Sequence, residues 1–319
     1  MTGTVDIIIV NWNSRELLGR CLMSISTLAR EHSHISEVIV VDNASSDGSA
    51  DSLPDCNCRL SVTRNRENAG FAAACNQGAA LGRGAYILFL NPDTEMRPGV
   101  LERAMRAYDE CGTDVPSAIG VQLITGSGDV ARSCARFPTP TRIILTSIGV
   151  TKLWPAVFTP QLMSDWDHLS SRRVDQVIGA FFLVRRRDFE FARGFDERFF
   201  VYYEEVDYCK RWSSVGRSCL YLADVRLIHH EHGSSRHVVD IALFYSLRSR
   251  LLYAGKHFGI AGRIGAYVGA LLVEPFSRLA KAMLAGRQDG MTATMSAYRY
   301  LVRWIVSGEP KKSAERRIG

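Results

Sequence analysis

Short apolar runs alternate with amphipathic segments through the first 125 residues. Residues 5–10, 37–41, 59–63 and 86–90 are β-rich, and the wholly apolar ones predict strands buried on both faces, as in a parallel sheet. Between the first two runs, Leu17, Leu18, Cys21, Leu22, Ile25 and Leu28 recur on one face of a predicted helix. Asn13, three residues before Glu16, resembles the start of a capping box. Further helical patterns cover 69–81 and 99–111. This β-α-β order predicts an α/β fold with a mostly parallel central sheet. Residues 125–173, with Pro138, Pro140, Pro155, Pro160 and several Ser/Thr clusters, read as long loops. Regular structure is expected again at 177–184, with a helix near 204–215 and strands near Leu220 and at 225–228. After His237 the pattern is helical. The chain therefore divides into a 1–237 domain and a 238–319 helical extension, with no internal repeat.

Charge sharpens that division. The net charge is +6 over 319 residues, yet residues 241–319 hold 13 Lys and Arg against 4 Asp and Glu, while residues 1–240 hold 26 against 29. A mildly acidic body carries a basic extension. Within the extension, residues 260–284 are apolar but interrupted by Arg263, Glu274, Pro275, Arg278 and Lys281. This pattern is too broken to span a bilayer and suits an anionic membrane surface; a helical appendix packed on the body is the alternative. Residues 5–10 lack the basic flank and cleavage site of a signal peptide. The eight cysteines form no CxxC pair and no zinc spacing, which fits a reducing compartment and a cytoplasmic protein. A hydrophobic content of 46% excludes a disordered chain, and no nucleic-acid-binding motif is present.

In α/β sheets the ligand crevice lies beyond the carboxyl ends of the strands. The residues following the predicted strands are Asn11-Trp12-Asn13, Asp42-Asn43-Ala44-Ser45, residues 65–70, and Asn91-Pro92-Asp93-Thr94, all polar or acidic. A dehydrogenase would need G-x-G-x-x-G after the first strand, and Asn-Trp-Asn-Ser stands there instead. Asp93 could give a carboxylate to Mg²⁺ or Mn²⁺, or simply open a turn. Asp42 could accept a hydrogen bond from a nucleobase, or serve turn chemistry with Asp47 as a helix cap. Glu204, Glu205 and Asp207 begin a predicted helix, where the helix dipole alone favours acids and Asp207 could pair with Arg211 on the surface. The aromatic run 199–203 before them would desolvate a carboxylate and raise its pKa towards the range of a general base. His229, His230, His232 and His237 lack HExxH spacing but follow a strand, where one imidazole could meet a metal or a diphosphate.

The joint order of these blocks resembles the inverting GT-A-fold glycosyltransferases of family 2, in particular the bacterial rhamnosyltransferase-like branch. The resemblance runs from about Val5 to Phe258. It rests on Ile9-Val10-Asn11-Trp12-Asn13, Val40-Val41-Asp42-Asn43, Asn68-Ala69-Gly70-Phe71, Leu90-Asn91-Pro92-Asp93, Gly179-Ala180-Phe181, Gly194-Phe195-Asp196-Glu197, Glu204-Glu205-Val206-Asp207 and His230-Glu231-His232-Gly233-Ser234-Ser235. The resemblance implies transfer of a sugar from a dTDP- or UDP-linked nucleotide-sugar, dTDP-L-rhamnose above others, to a polyprenyl-diphosphate-linked saccharide at the cytoplasmic membrane face. Galactofuranosyl or other hexosyl transfer, and a non-catalytic nucleotide-sugar-binding module, are the alternatives. It implies that Asp42 holds the nucleobase and that Asn11, Asn68, Gly70 and Asn76 line the nucleotide pocket. Asp93 and His230 would serve a divalent metal, Arg248 or Arg250 the diphosphate, and Glu205 would be the catalytic base. Gly179, Ala180, Glu204 and Asp207 would lie towards the acceptor. Asn91 stands where the family's DxD motif has its first Asp, and Glu205 where Asp is commoner.

Overall fold

The structure is a computed structural model that describes residues 3–29, 34–150, 160–230 and 239–308. Four strands form its parallel half: β1 (Val5–Asn11), β2 (Ile35–Asp42), β3 (Leu60–Arg64) and β4 (Tyr86–Leu90). The remaining strands are β5 (Thr94–Glu95), β6 (Ile119–Ile124), β7 (Val130–Ala131), β8 (Cys134–Ala135), β9 (Arg172–Val174), β10 (Gln176–Val177), β11 (Phe181–Arg185) and β12 (Cys219–His229). The main sheet runs β3-β2-β1-β4-β11-β6-β12-β5. β11 lies antiparallel between β4 and β6, so the sheet is mixed, with β6 and β12 again parallel to each other.

Alternation explains why these strands are apolar throughout. Ile7, Ile9, Val38, Val40, Leu88, Leu90 and Leu183 point to one face, where they pack with α1 (Glu16–Ala29) and α3 (Val100–Glu110). Ile8, Val10, Ile39, Val41, Ile87, Phe89 and Phe182 point to the other, against α2 (Phe71–Leu81) and two helices that follow the sheet's centre, α5 (Arg186–Phe191) and α6 (Glu204–Ser213). A sheet covered on both sides leaves no position for a polar alternation.

The stretch 125–173 is more regular than its prolines suggest. It contains β7, β8, the start of β9 and α4 (Pro140–Ser147). Pro140 sits in the first turn, where a missing N–H costs nothing, and Thr139 Oγ1 caps the helix by accepting from Arg142 N at 3.2 Å. The two strands expected near Leu220 and 225–228 are one strand, β12, whose register with β6 jumps between Leu222 and Arg226. Asn13 does not cap α1. It has φ +50°, and its Oδ1 accepts from Ser46 N at 2.8 Å, tying two loops together.

The C-terminal extension is α7 (Val239–His257), α8 (Ile260–Val268), a π-helical turn at Gly269–Val273, α9 (Glu274–Leu284) and α10 (Gln288–Ser307). It is no loose appendix. Ser249 Oγ donates to Val201 O at 2.9 Å, and the Phe200 ring stacks on Tyr245 with centroids 4.5 Å apart. Trp12, from the loop after β1, packs into the same aromatic and aliphatic cluster. Among the described residues no helix is long and apolar enough to cross a membrane.

Candidate active site

The carboxyl ends of β3, β2, β1 and β4 and the beginning of antiparallel β11 share one sheet edge. At about 4.8 Å per strand, residues ending β2 and β4 stand about 10 Å apart across β1. Asp42 ends β2 and Asp93 lies three residues past the end of β4, so both stand at the carboxyl ends of parallel strands on either side of β1.

Asn11 organises the donor end of this edge. Its Nδ2 lies 2.7 Å from Asp42 Oδ1, 3.0 Å from Ser45 Oγ and 2.9 Å from Ser49 Oγ, and its Oδ1 accepts from Ser14 Oγ. Asn11 is fully buried and Asp42 nearly so. Asp47 is not a helix cap; it accepts from Ser49 N at 2.9 Å and, across the loops, from Arg15 N at 2.8 Å. The result is a rigid polar wall in which Asp42 is aimed by its neighbour.

Asn43, the next residue along, organises a second loop in the same way. Its amide donates to Asn68 Oδ1 at 2.7 Å and to Gly70 O at 3.2 Å, and its carbonyl accepts from Asn65 Nδ2 and Ala69 N, each at 3.0 Å. Gly70 has φ +89°, and a Cβ there would lie 2.6 Å from Phe200 O, so glycine is required by both backbone and space. Phe71 N donates to that same Phe200 O at 2.5 Å, which ties the start of α2 to the segment leading into α6. Asn76, expected to line the nucleotide pocket, has both ends of its amide on the Phe195 backbone at 2.9 Å, and it holds the 194–197 turn.

Asp93 lies beyond β4 and is 5% exposed. Its backbone carbonyl accepts from His230 N at 2.9 Å, but the imidazole beside its carboxylate is that of His229, with Nε2 3.2 Å from Oδ1. His230, the histidine expected at the metal, instead places Nε2 2.8 Å from Glu95 Oε1. The pairing of His229 with Thr94 across β12 and β5 sets this choice. His232 and His237 lie outside the described residues. Ala180 O accepts from Asn91 N at 3.1 Å, and Gly179 lies near Phe71, so Gly179 and Ala180 sit at the same edge.

Glu205 and Glu204 open α6. The two residues before them, Tyr202 and Tyr203, have φ +67° and +73°. Consecutive left-handed non-glycine residues are a strained way to enter a helix, and such strain concentrates at working sites. Burial raises the Glu205 carboxyl, and it raises Glu204 well above the usual carboxylate range, with the Glu205 charge adding to it. Burial also pushes the α2 thiol of Cys75 up, with Glu204 and Glu205 contributing, so both acids lie close to α2.

Asp207 forms the expected i,i+4 pair with Arg211, but inside the protein and not on its surface. It is fully buried and meets Arg211 Nε at 2.9 Å, Lys256 Nζ at 2.8 Å and His257 Nε2 at 2.7 Å. Burial alone would raise its carboxyl, but the hydrogen bonds from His257 and Lys256 and the Arg211 charge hold it below the usual range. Arg250 is likewise committed elsewhere, in a buried ion pair with Glu274 that Arg278 completes at 2.7 Å. Arg248 lies 5.4 Å from the Trp304 ring centroid, within the cluster that receives Trp12. Sequence reasoning gave Asn43 no role of its own, left His229 as one histidine among four, and missed the Lys256–His257 clamp.

Among the described residues no three His, Cys, Asp or Glu side chains come close enough to hold a metal by themselves. A hard divalent ion needs only one or two protein oxygens when a diphosphate supplies the rest. Buried Asp93 at the strand edge, with an imidazole beside it, fits that partial role.

Residues 6–144 match the model described as Glycosyl transferase family 2. The N-acetylglucosaminyl-diphospho-decaprenol L-rhamnosyltransferase of Mycobacterium tuberculosis is 26% identical over 272 residues, spanning 81% of this chain and 87% of its own. Rhamnosyltransferase WbbL of Escherichia coli K12 is 28% identical over 54% of this chain and 62% of its own. Among solved structures, the mannosyltransferase PcManGT of Pyrobaculum calidifontis with GDP-Man and Mn²⁺ superposes with a TM-score of 0.52 at 15% identity, covering 100% of this chain and 86% of its own. GalNAc-T7 with UDP, GalNAc and Mn²⁺ gives 0.53 at 13% identity, covering 89% and 58%. At those identities the structural likeness concerns the fold.

Proposed function

We propose that the chain is a family 2 glycosyltransferase of the GT-A fold that transfers L-rhamnose from dTDP-L-rhamnose to a polyprenyl-diphosphate-linked saccharide, with inversion; the match of residues 6–144 to the family model supports the family. The rhamnosyltransferase that spans 81% of the chain supports L-rhamnose as the transferred sugar and this kind of acceptor. The observation that carries the mechanism is the desolvated carboxylate of Glu205, which no described ion pair engages, opening a helix whose lead-in segment is tied through Phe200 O to Phe71 N beside the Asn43-organised loop.

Asp42, aimed by Asn11, receives the imide N–H of the base, while the Ser45 and Ser49 hydroxyls and the Asn43-organised loop meet the nucleoside. Asp93, with His229 beside it, faces the diphosphate. Asp93 would hold a divalent cation, which would supply charge neutralisation for the departing diphosphate. Glu205 takes the proton of the acceptor hydroxyl as that oxygen attacks the anomeric carbon opposite the leaving group. One base and one displacement give inversion. A lipid-carried acceptor puts the enzyme at the cytoplasmic membrane face.

The test is transfer by the purified chain to a short-chain diphosphopolyprenyl saccharide, with dTDP-L-rhamnose, UDP-galactofuranose and UDP-hexoses as donors, with Mn²⁺ or after chelation. The expected product comes from dTDP-L-rhamnose, loses most of its rate on chelation and has inverted anomeric configuration by NMR. Transfer only from another donor removes rhamnose, and retained configuration removes Glu205 as sole base.

A further inference from the structure

Helix α8 and its continuation are built inside out. The side turned to the protein carries small residues. A Cβ on Gly262 would lie 2.6 Å from the Pro140 side chain, one on Gly265 3.3 Å from Ile144 and one on Gly269 3.6 Å from Ser147 Oγ, while Ala266 and Ala270 are fully buried. The side turned outward carries Ile260 at 75% exposure, Ile264 at 57%, Val268 at 45%, Leu272 at 63% and Phe276 at 70%. An amphipathic helix on a water-soluble protein has the opposite arrangement, with large apolar side chains within.

The outward stripe recurs every four residues across a helix break. Four residues of α-helix turn about 400°, so such a stripe drifts by about 40° at each step. The π turn at Gly269–Val273, with the Glu274 N–H reaching Gly269 O, takes more residues per circuit and drives the stripe back. Leu272 and Phe276 therefore stay on the side of Ile260 and Ile264. Charge adds a second, independent observation. Over residues 260–308 the exposed cations are Arg263, Arg278, Lys281, Arg287, Arg299 and Arg303, against Asp289 as the exposed acid, because Glu274 is buried between Arg250 and Arg278.

We propose that this face lies on an anionic lipid bilayer, with Ile260, Ile264, Val268, Leu272 and Phe276 in the interface and the arginines and lysine at the level of acidic headgroups. The inference deepens the reading of a lipid-carried acceptor, yet rests on the helices alone. The aromatic cluster that holds α10 also receives Trp12 from the donor-side loop, so a docked extension sets the active edge at a fixed height above the membrane.

The test is cosedimentation of the full chain with vesicles of phosphatidylglycerol and phosphatidylcholine, and with phosphatidylcholine alone, in the absence of donor and acceptor. Binding is expected only to the anionic vesicles and falls with added salt. Ile264→Glu with Phe276→Glu abolishes it, and Arg299→Glu or Arg303→Glu weakens it at least about fivefold each. All four positions are exposed, and unchanged melting together with unchanged transfer to a short-chain soluble acceptor shows that the variants are folded. Equal binding to neutral vesicles, binding untouched by the variants, or a dimer that the apolar variants dissociate while no vesicle binds would each overturn the proposal. Transfer to the short-chain acceptor tests the catalytic reading separately, since it needs no membrane.

Discussion

Helix α6 carries two acidic groups treated in opposite ways within one turn. Glu204 and Glu205 are desolvated, with no described ion pair, and their carboxyls are raised. Asp207 is as deeply buried but is met by Arg211, Lys256 and His257, and its carboxyl is lowered. Burial is common to both, so cations make the difference. Where α6 is braced to α7, counter-charges favour the ionised carboxylate. Where the proposed base stands, two acids lie close together and burial raises both.

The comparison breaks most severely at Glu205. Glu205→Gln keeps size and hydrogen bonding but removes the base, and kcat is expected to fall about 10²- to 10⁴-fold with donor binding nearly unchanged, as single-turnover assays and donor titration would read. A loss carried wholly by donor affinity would contradict the assignment. Next in size is Asp207→Asn, which leaves Arg211, Lys256 and His257 around a neutral amide. Removing one partner of a buried ionic cluster costs about 3 kcal/mol, measured by urea unfolding. The sign with pH follows from the lowered carboxyl. The wild-type brace is complete above the carboxylate pKa of the unfolded chain and is lost as pH falls through the lower folded value, a dependence that Asp207→Asn abolishes.

Part of this site is legible in sequence because strand ends face the crevice in any sheet of this kind, which placed Asn11, Asp42 and Asp93 together, whereas Gly179 and Ala180 came only from the family resemblance. The core strands were legible for a related reason, being apolar on both faces. What escaped depends on long-range register. Whether His229 or His230 faces Asp93 is a question of strand parity, and the irregularity between Leu222 and Arg226 sets that parity without a local signal. The spacing of Asp207 and Arg211 is visible, but Lys256 and His257 arrive from a helix some fifty residues on, and only packing reveals them. Arg250 was invisible for the same reason, since Glu274 belongs to another helix. Proline content misled at α4, where a residue that ends helices sits at a helix start.

The finest test of the contrast is Glu204→Gln, which removes the neighbouring acid and leaves the base. In the wild type the folded acid pair keeps protons that the unfolded chain has released, so it lowers stability as pH rises from the unfolded carboxylate value to the raised folded one. The variant is therefore expected to be more stable than wild type at neutral pH, as urea unfolding would read. The acid limb of the kcat/KM profile is expected to stay in place, because burial and not a Glu204 charge raises the Glu205 carboxyl, whose own charge adds to the raising of Glu204. A limb that moves down would mean that Glu204 is already charged when Glu205 ionises, reversing the order of the pair. An unchanged stability would mean that Glu204 has a partner of its own in the folded state, and the division of α6 into a braced acid and a raised pair would fail at that residue.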